Sequence, residues 1–93
     1  MRLAAKVDGN HTKIVRGLRQ LGATVEDLSR VGHGCPDILV GCYGRNWLLE
    51  IKNPEQAPSK RKLTGDEPGW HERWRGQCAV VYTLDDAIAI VFG

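Results

Sequence analysis

GCPDILVGCYGRNWLLEIK, residues 34–52, is the stretch whose reading decides the fold. Pro36-Asp37 opens one apolar run, Ile38-Leu39-Val40, and twelve residues separate Asp37 from Glu50-Ile51-Lys52, which closes a second run, Trp47-Leu48-Leu49. Both runs read as short buried strands, and Tyr43-Gly44-Arg45-Asn46 between them reads as a hairpin turn. Side chains alternate faces along a strand, so Glu50 and Lys52 share one face while Leu49 and Ile51 point the other way. With the turn centred between Gly44 and Arg45, Asp37 lies opposite Lys52 and diagonal to Glu50, on the same face. Diagonal neighbours sit about 7–8 Å apart at the backbone, so both carboxylates can converge on one cation. A slip of one residue would send Asp37 to the other face, so everything rests on that register.

The residue types suit a hard cation. Magnesium takes oxygen ligands, commonly one or two carboxylates, with waters and phosphate oxygens completing an octahedron at about 2.0–2.1 Å. Asp37 and Glu50 supply carboxylates, and the backbone carbonyl of Ile51 could add a third oxygen. Water on such a metal is a stronger nucleophile, and the cation offsets charge developing on a phosphorus centre. Lys52 could orient that water or stabilise the charged transition state. Beside two carboxylates its ammonium stays protonated, which favours positioning over a role as neutral base. The same three residues also suit a plain ion pair of Glu50 or Asp37 with Lys52, without chemistry.

On these residues the chain resembles the PD-(D/E)xK nuclease superfamily. The longer stretch LRQLGATVEDLSRVGHGCPDILVGCYGRNWLLEIKN, followed by SKRKLTGDEPGWHERWRG, resembles the stand-alone virus-type replication-repair nuclease (VRR-NUC) domain of phages and bacteria. The similarity spans roughly residues 8 to 90. It implies an αβββαβ core, a mixed central sheet flanked by helices, in one domain over residues 1–93. It implies an endodeoxyribonuclease dependent on Mg2+ or Mn2+, hydrolysing phosphodiester bonds in branched DNA. Four-way (Holliday) junctions are the leading substrate, and the small members work as homodimers. The metal-binding acids then correspond to Asp37 and Glu50, and the motif lysine to Lys52.

The chain departs from the family pattern twice. Members often carry a polar or acidic residue on the first helix near the metal, where this sequence offers Asn10 and His11, with Asp8 nearby. Members also tend to have a glutamine in the helix after the motif, where this sequence reads Asp66-Glu67-Pro68-Gly69. Glu67 is the stand-in, and Pro68 and Gly69 suggest a late helix start. Two other readings of the fold stand beside the junction endonuclease: a non-catalytic nucleic-acid-binding module, and a nuclease of another repair or restriction role. Fold alone does not separate them.

Ninety-three residues suffice for one domain with its own core, and 42% hydrophobic content is ordinary for a globular chain. No apolar run approaches the ~20 residues of a membrane span, and the start has too short an apolar stretch for a signal peptide, so cytoplasmic residence is the default expectation (the host cytoplasm for a phage-encoded chain). Cys35, Cys42 and Cys78 form no C-x-x-C pair, which argues against a disulfide scaffold or a zinc ribbon and for small buried thiols. The net charge of +2 is only mildly basic, so its distribution matters more. Lys60, Arg61 and Lys62, with Arg73 and Arg75, gather positive charge just after the motif, and Arg16, Arg19 and Arg30 add to it. Such clusters hold phosphates through salt-sensitive contacts. His33, in the glycine-containing loop Val31–Cys35, could touch DNA beside Asp37.

Residues 1–9 read as a loose arm. Asn10 or Thr12 could cap a helix running to about Leu21, with Ile14, Val15, Leu18 and Leu21 on one face and Gly22 ending it. Ala23 to Leu28 reads as a strand. Pro54 and Pro58 forbid a continuing strand or helix there. A helix from Glu67 or Trp70 to Arg75 places Trp70 and Trp74 on one face, as core packing against the sheet. Cys78 to Thr83 reads as a buried strand. Leu84 starts a last helix or turn, with Asp85 or Asp86 near its start, and the apolar stretch Ala87–Phe92 reads as core.

Overall fold

A computed structural model describes residues 9–93. Residues 1–8, and with them Asp8 and nearly all of the expected arm, lie outside the described residues; Gly9 belongs to the first helix. That helix, α1 (Gly9–Gln20), buries Ile14, Gly17 and Leu18, one stripe at helical spacing. Gly22 closes it at φ 105°, where a side chain would be strained. Leu21 falls beyond the stripe and is 52% exposed.

Four strands follow in the order in which they pair. Strand β1 (Thr24–Asp27) pairs antiparallel with β2 (Ile38–Cys42), and β2 pairs antiparallel with β3 (Arg45–Ile51). Helix α2 (Glu67–Arg73) carries the chain across, so that β4 (Cys78–Val81) joins β3 in parallel. The result is the expected mixed sheet flanked by helices. Helix α3 (Leu84–Val91) packs on α1 and β4.

The hairpin register differs from the expected one by two residues. Ile38 faces Leu49 and Cys42 faces Arg45, which leaves only Tyr43 and Gly44 in the loop. Both have positive φ, 55° and 75°, as a two-residue turn matched to the twist of its strands demands. A tyrosine in that conformation is uncommon. Here its ring meets Phe92 edge to face at a centroid separation of 5.7 Å, a contact between distant residues that a local turn signature does not contain. Because the displacement is even, side-chain parity survives: Asp37 still shares a face with Glu50, but stands opposite it instead of diagonal to it.

The two faces of the sheet have different lives. Val25, Ile38, Val40, Leu49, Ile51 and Val81 meet Ile14 and Leu18 of α1 and Ala87 and Val91 of α3 in one core. The other face carries Leu48, Glu50, Cys78 and Val80, with Lys52 and Tyr82 just beyond the strand ends, and is covered in part by α2 and the segment before it. Helix α2 starts at Glu67, the earlier of the two expected starts, because Pro68 falls in its first turn, where no intrahelical amide donor is missed. It contributes no fully buried residue. Trp70 and Trp74 stack on each other at 4.8 Å, and Trp74 is 46% exposed, so the pair is a surface stack and not the expected core wedge.

Helix α3 begins with a full capping box. The Thr83 hydroxyl accepts from Asp86 N–H at 3.0 Å, while the Asp86 carboxylate accepts from the N–H groups of Thr83 (3.2 Å) and Tyr82 (2.9 Å). Thr83→Ala is expected to cost about 0.5–2 kcal/mol, read as a lower urea midpoint at unchanged slope; an unmoved midpoint would mean that the cap does not hold α3.

Candidate active site

Asp37 sits immediately before β2, behind the fully buried Pro36. Its backbone N–H donates to Leu49 carbonyl at 3.1 Å, and its carboxylate Oδ2 accepts from Ile51 N–H at 2.7 Å. The start of β2 and the end of β3 are therefore tied together by the Asp37 side chain itself. Glu50, one residue before Ile51, points to the same face and is only 4% exposed. Lys52 follows, its backbone N–H continuing the ladder to Val81 carbonyl at 2.9 Å. Its ammonium lies 3.5 Å from Glu50 Oε2 and 2.9 Å from Glu67 Oε1. Glu67 arrives from α2, where the same Oε1 also accepts from Thr64 N–H at 2.9 Å.

The charges divide unequally. Burial pushes the Asp37 carboxyl above its ordinary value, in spite of the Ile51 hydrogen bond and the nearby His11 and Lys52. Burial, reinforced by the charges of Asp37 and Glu67, lifts Glu50 to about 8, against the opposing pull of Lys52. Burial disfavours the Lys52 ammonium, but the hydrogen bond to Glu67 and the charge of Glu50 outweigh it and raise its pKa. Glu67 also loses solvation, yet the Lys52 hydrogen bond and the Thr64 amide bring its pKa below the ordinary value. Lys52 and Glu67 thus form the ionised pair. Two carboxyls, Glu50 and Glu67, contact the one ammonium with Asp37 nearby, and Asp37 and Glu50 are left short of positive charge.

That shortage is what a divalent cation would relieve. Asp37 and Glu50 fit a cation as adjacent carboxyls on one face, with the Ile51 carbonyl on the strand between them. Among the described residues no group of three or more His, Cys, Asp or Glu side chains forms a ready cage. A two-carboxylate site that leaves most positions to water and substrate is the arrangement magnesium commonly takes.

The other expected site residues lie in three kinds of place. Asn10 is turned to the backbone: its side-chain amide donates to the carbonyls of Lys52 and Tyr82, both at 2.9 Å, fastening α1 to the ends of β3 and β4. His11 lies 4.0 Å from the Asp27 carboxylate. His33 (φ 57°) is exposed between Gly32 and Gly34, both of which also have positive φ, and Arg30, Lys60 and Lys62 are exposed. Arg61 is half-buried and its carbonyl accepts from the Tyr82 hydroxyl at 3.0 Å. Cys35, Cys42 and Cys78 are free and half-buried.

Two features had not been read from the sequence. Thr64-Gly65-Asp66-Glu67 has T-x-x-E spacing, and the bond from Thr64 N–H to the Glu67 carboxylate closes the turn that leads into α2, whose cap residue is Asp66. His71, one turn after Glu67, meets Cys78 with Nδ1 3.2 Å from Sγ and so links α2 to β4. Burial lowers the His71 pKa and raises that of Cys78, which keeps both neutral. No sequence pattern signals that pair, because it depends on where α2 crosses the sheet. Gly34 completes the seating of α2: a Cβ there would come within 2.5 Å of the Asp66 carbonyl oxygen.

With this geometry in view, comparison with known proteins is informative. No family model matches the chain, and no curated protein matches it. A solved structure described as a VRR_NUC domain superposes with a TM-score of 0.63 at 26% sequence identity, over 88% of this chain and 91% of that one. The chain is a small α/β domain with the fold of a nuclease. It is VRR-NUC-like in its mixed four-stranded sheet and flanking helices. Among the described residues no helix is long and apolar enough to cross a membrane.

The raised Glu50 pKa has a consequence for stability. In the unfolded chain Glu50 titrates near 4.5, and in the fold at about 8, so folding favours its protonated form. That contribution is complete below pH 4.5 and is lost as pH rises through 8. In chelator, the melting temperature is expected to fall between pH 5 and 8, with a shallower slope in Glu50→Gln. Equal slopes by scanning calorimetry would place the titrating group elsewhere.

Proposed function

We propose that this protein is a metal-dependent DNA endonuclease that hydrolyses phosphodiester bonds, with branched DNA, and four-way junctions first, as its substrate. One observation carries the reading: two carboxyls, Asp37 and Glu50, are held side by side on one sheet face beside an ionised Lys52. A structural ion pair of Lys52 with Glu67 has no use for two further carboxyls, Glu50 and Asp37, placed beside it. The VRR-NUC-like fold supports the same conclusion.

In this reading Asp37, Glu50 and the Ile51 carbonyl hold Mg2+ or Mn2+. The bound cation activates water at neutral pH and neutralises charge on the phosphate. The chain does the rest. Ile51 N–H fixes the Asp37 carboxylate through Oδ2, with Glu50 against the same carboxyl. Glu67 draws the Lys52 ammonium toward α2 and holds it within reach of Glu50, where it orients the attacking water or stabilises the developing charge. His71 and Gly34 seat α2 so that Glu67 reaches Lys52. Lys60, Arg61 and Lys62, with Arg30 and His33, supply phosphate contacts around the site. A homodimer places two such sites on two strands, as paired cutting of a junction requires.

The test is a cleavage assay on a labelled four-way junction and a matched duplex, with Mg2+, Mn2+ or chelator. Asp37→Ala, Glu50→Ala and Lys52→Ala are each expected to slow cutting by about 10²–10³-fold, the scale of losing one preorganised electrostatic contact. Junction affinity in chelator should stay within a few-fold of wild type. Activity near wild type in any of the three would refute the assignment of that residue. Equal cutting of both DNAs would leave a nuclease without selectivity for branches, and sedimentation equilibrium decides the dimer.

A further inference from the structure

Beside the carboxyl cluster lies a groove of about 460 Å³, lined by Pro54, Pro58, Arg61, Lys62 and Tyr82. We propose that it is a subsite for one unpaired nucleotide of the bound strand, with the base against Tyr82 and the prolines, and the phosphate on Arg61 and Lys62. The proposal rests on the nuclease reading above and adds to it the feature of the substrate that this chain recognises.

Position is the first argument. In the parallel pairing of β3 with β4, Ile51 faces Val81. One residue further along, Tyr82 stands beside Lys52, and in a parallel pair such neighbours project from the same face. Adjacent strands are about 4.8 Å apart. The groove therefore lies on the site face, about one strand spacing from Lys52, where the nucleotide next to the scissile phosphate has to pass.

Chemistry is the second. An aromatic ring and two prolines give a flat apolar wall, and two cations stand at its edge. Stacking platforms edged by positive charge are how proteins hold single-stranded nucleic acid. A base inside a duplex keeps its faces against its neighbours and has none to offer to Tyr82. The volume also suits a small ligand, since such clefts run from about 300 to 1,000 Å³.

The third argument is preorganisation. The Tyr82 hydroxyl donates to Arg61 carbonyl at 3.0 Å, joining the wall of the groove to its cationic edge. Tyr82 N–H donates to Asp86 at 2.9 Å, and its carbonyl accepts from Asn10 at 2.9 Å. With its hydroxyl tied to Arg61 and its backbone fixed at both the N–H and the carbonyl, the ring loses little freedom when a base stacks on it. Arg61 Nε is buried and has no acceptor among the described residues. A buried donor without a partner is rare enough to require a reason, and an anion drawn to this guanidinium supplies one.

The experiment uses junctions carrying a single unpaired 2-aminopurine at the branch and a matched duplex carrying it paired, with the full chain in chelator so that binding is read without cutting. An unpaired 2-aminopurine is bright and is quenched by stacking. Wild type is expected to quench one position at the branch. Tyr82→Phe should keep the quenching, while Tyr82→Ala should abolish it and lose about tenfold in junction affinity. Arg61→Gln, a change at the edge of the groove, should weaken junction binding and flatten its dependence on salt. Unchanged quenching and affinity in both Tyr82→Ala and Arg61→Gln would overturn the subsite while junction cutting by wild type leaves the nuclease reading intact. Quenching that Tyr82→Ala retains but inorganic pyrophosphate removes would reduce the groove to a phosphate site and overturn the base contact. Failure of wild type to bind either DNA would overturn both readings together.

Discussion

The hydrogen bond from Ile51 N–H to the Asp37 carboxylate, 2.7 Å long, is the constraint on which the rest of the site depends. Asp37 lies just before the first residue of β2, where the regular ladder has not begun, and its side chain supplies the partner that Ile51 N–H requires. A buried amide left without one would cost about 1–3 kcal/mol. The same contact orients the carboxylate beside Glu50. Structural need and chemical placement are thus met by one bond, and the site cannot loosen without fraying the sheet end.

Around that bond the elements divide their tasks by face. The apolar face, packed on α1 and α3, makes the strand ends rigid. The polar face receives α2, which touches the sheet through polar contacts: Glu67 to Lys52 and His71 to Cys78. A helix with no fully buried residue is weakly held. Its attachment therefore depends on the charge state of the residues it reaches, and Glu67 and Lys52 both titrate in the direction that keeps them ionised together.

Much of this was legible in residues 34–52, because strand alternation is a strict rule. Glu50, Lys52 and Asp37 had to share a face once the two apolar runs paired with even parity. The register itself was less legible. The turn reads locally as Tyr43 to Asn46; a tyrosine at positive φ is a poor local choice, and the Phe92 ring that meets it is distant in sequence. The start of α2 stays open between Glu67 and Trp70 in the sequence because Pro68 and Gly69 read as breakers, although proline is at home in a first turn. Trp70 and Trp74 were assigned to the core by spacing, which says that two rings share a face but not what that face meets. Asn10 reads from the sequence as a helix cap or, through the family resemblance, as a polar first-helix residue near the metal; its amide instead serves two backbone carbonyls, a role visible only once β3 and β4 lie side by side.

The close approach of Gly17 to Leu84 has a temporal side. A Cβ on Gly17 would lie 2.5 Å from Leu84 Cδ2, so the glycine is a notch into which the first residue of α3 fits. Synthesis delivers α1 first and α3 last. Until residues 84–91 emerge from the ribosome, α1 has an open notch and the apolar sheet face lacks half its cover. Non-local closure of this kind is slow and leaves sticky surface exposed meanwhile. The interval after the strands are made and before α3 arrives is therefore when this fold exposes the most apolar surface.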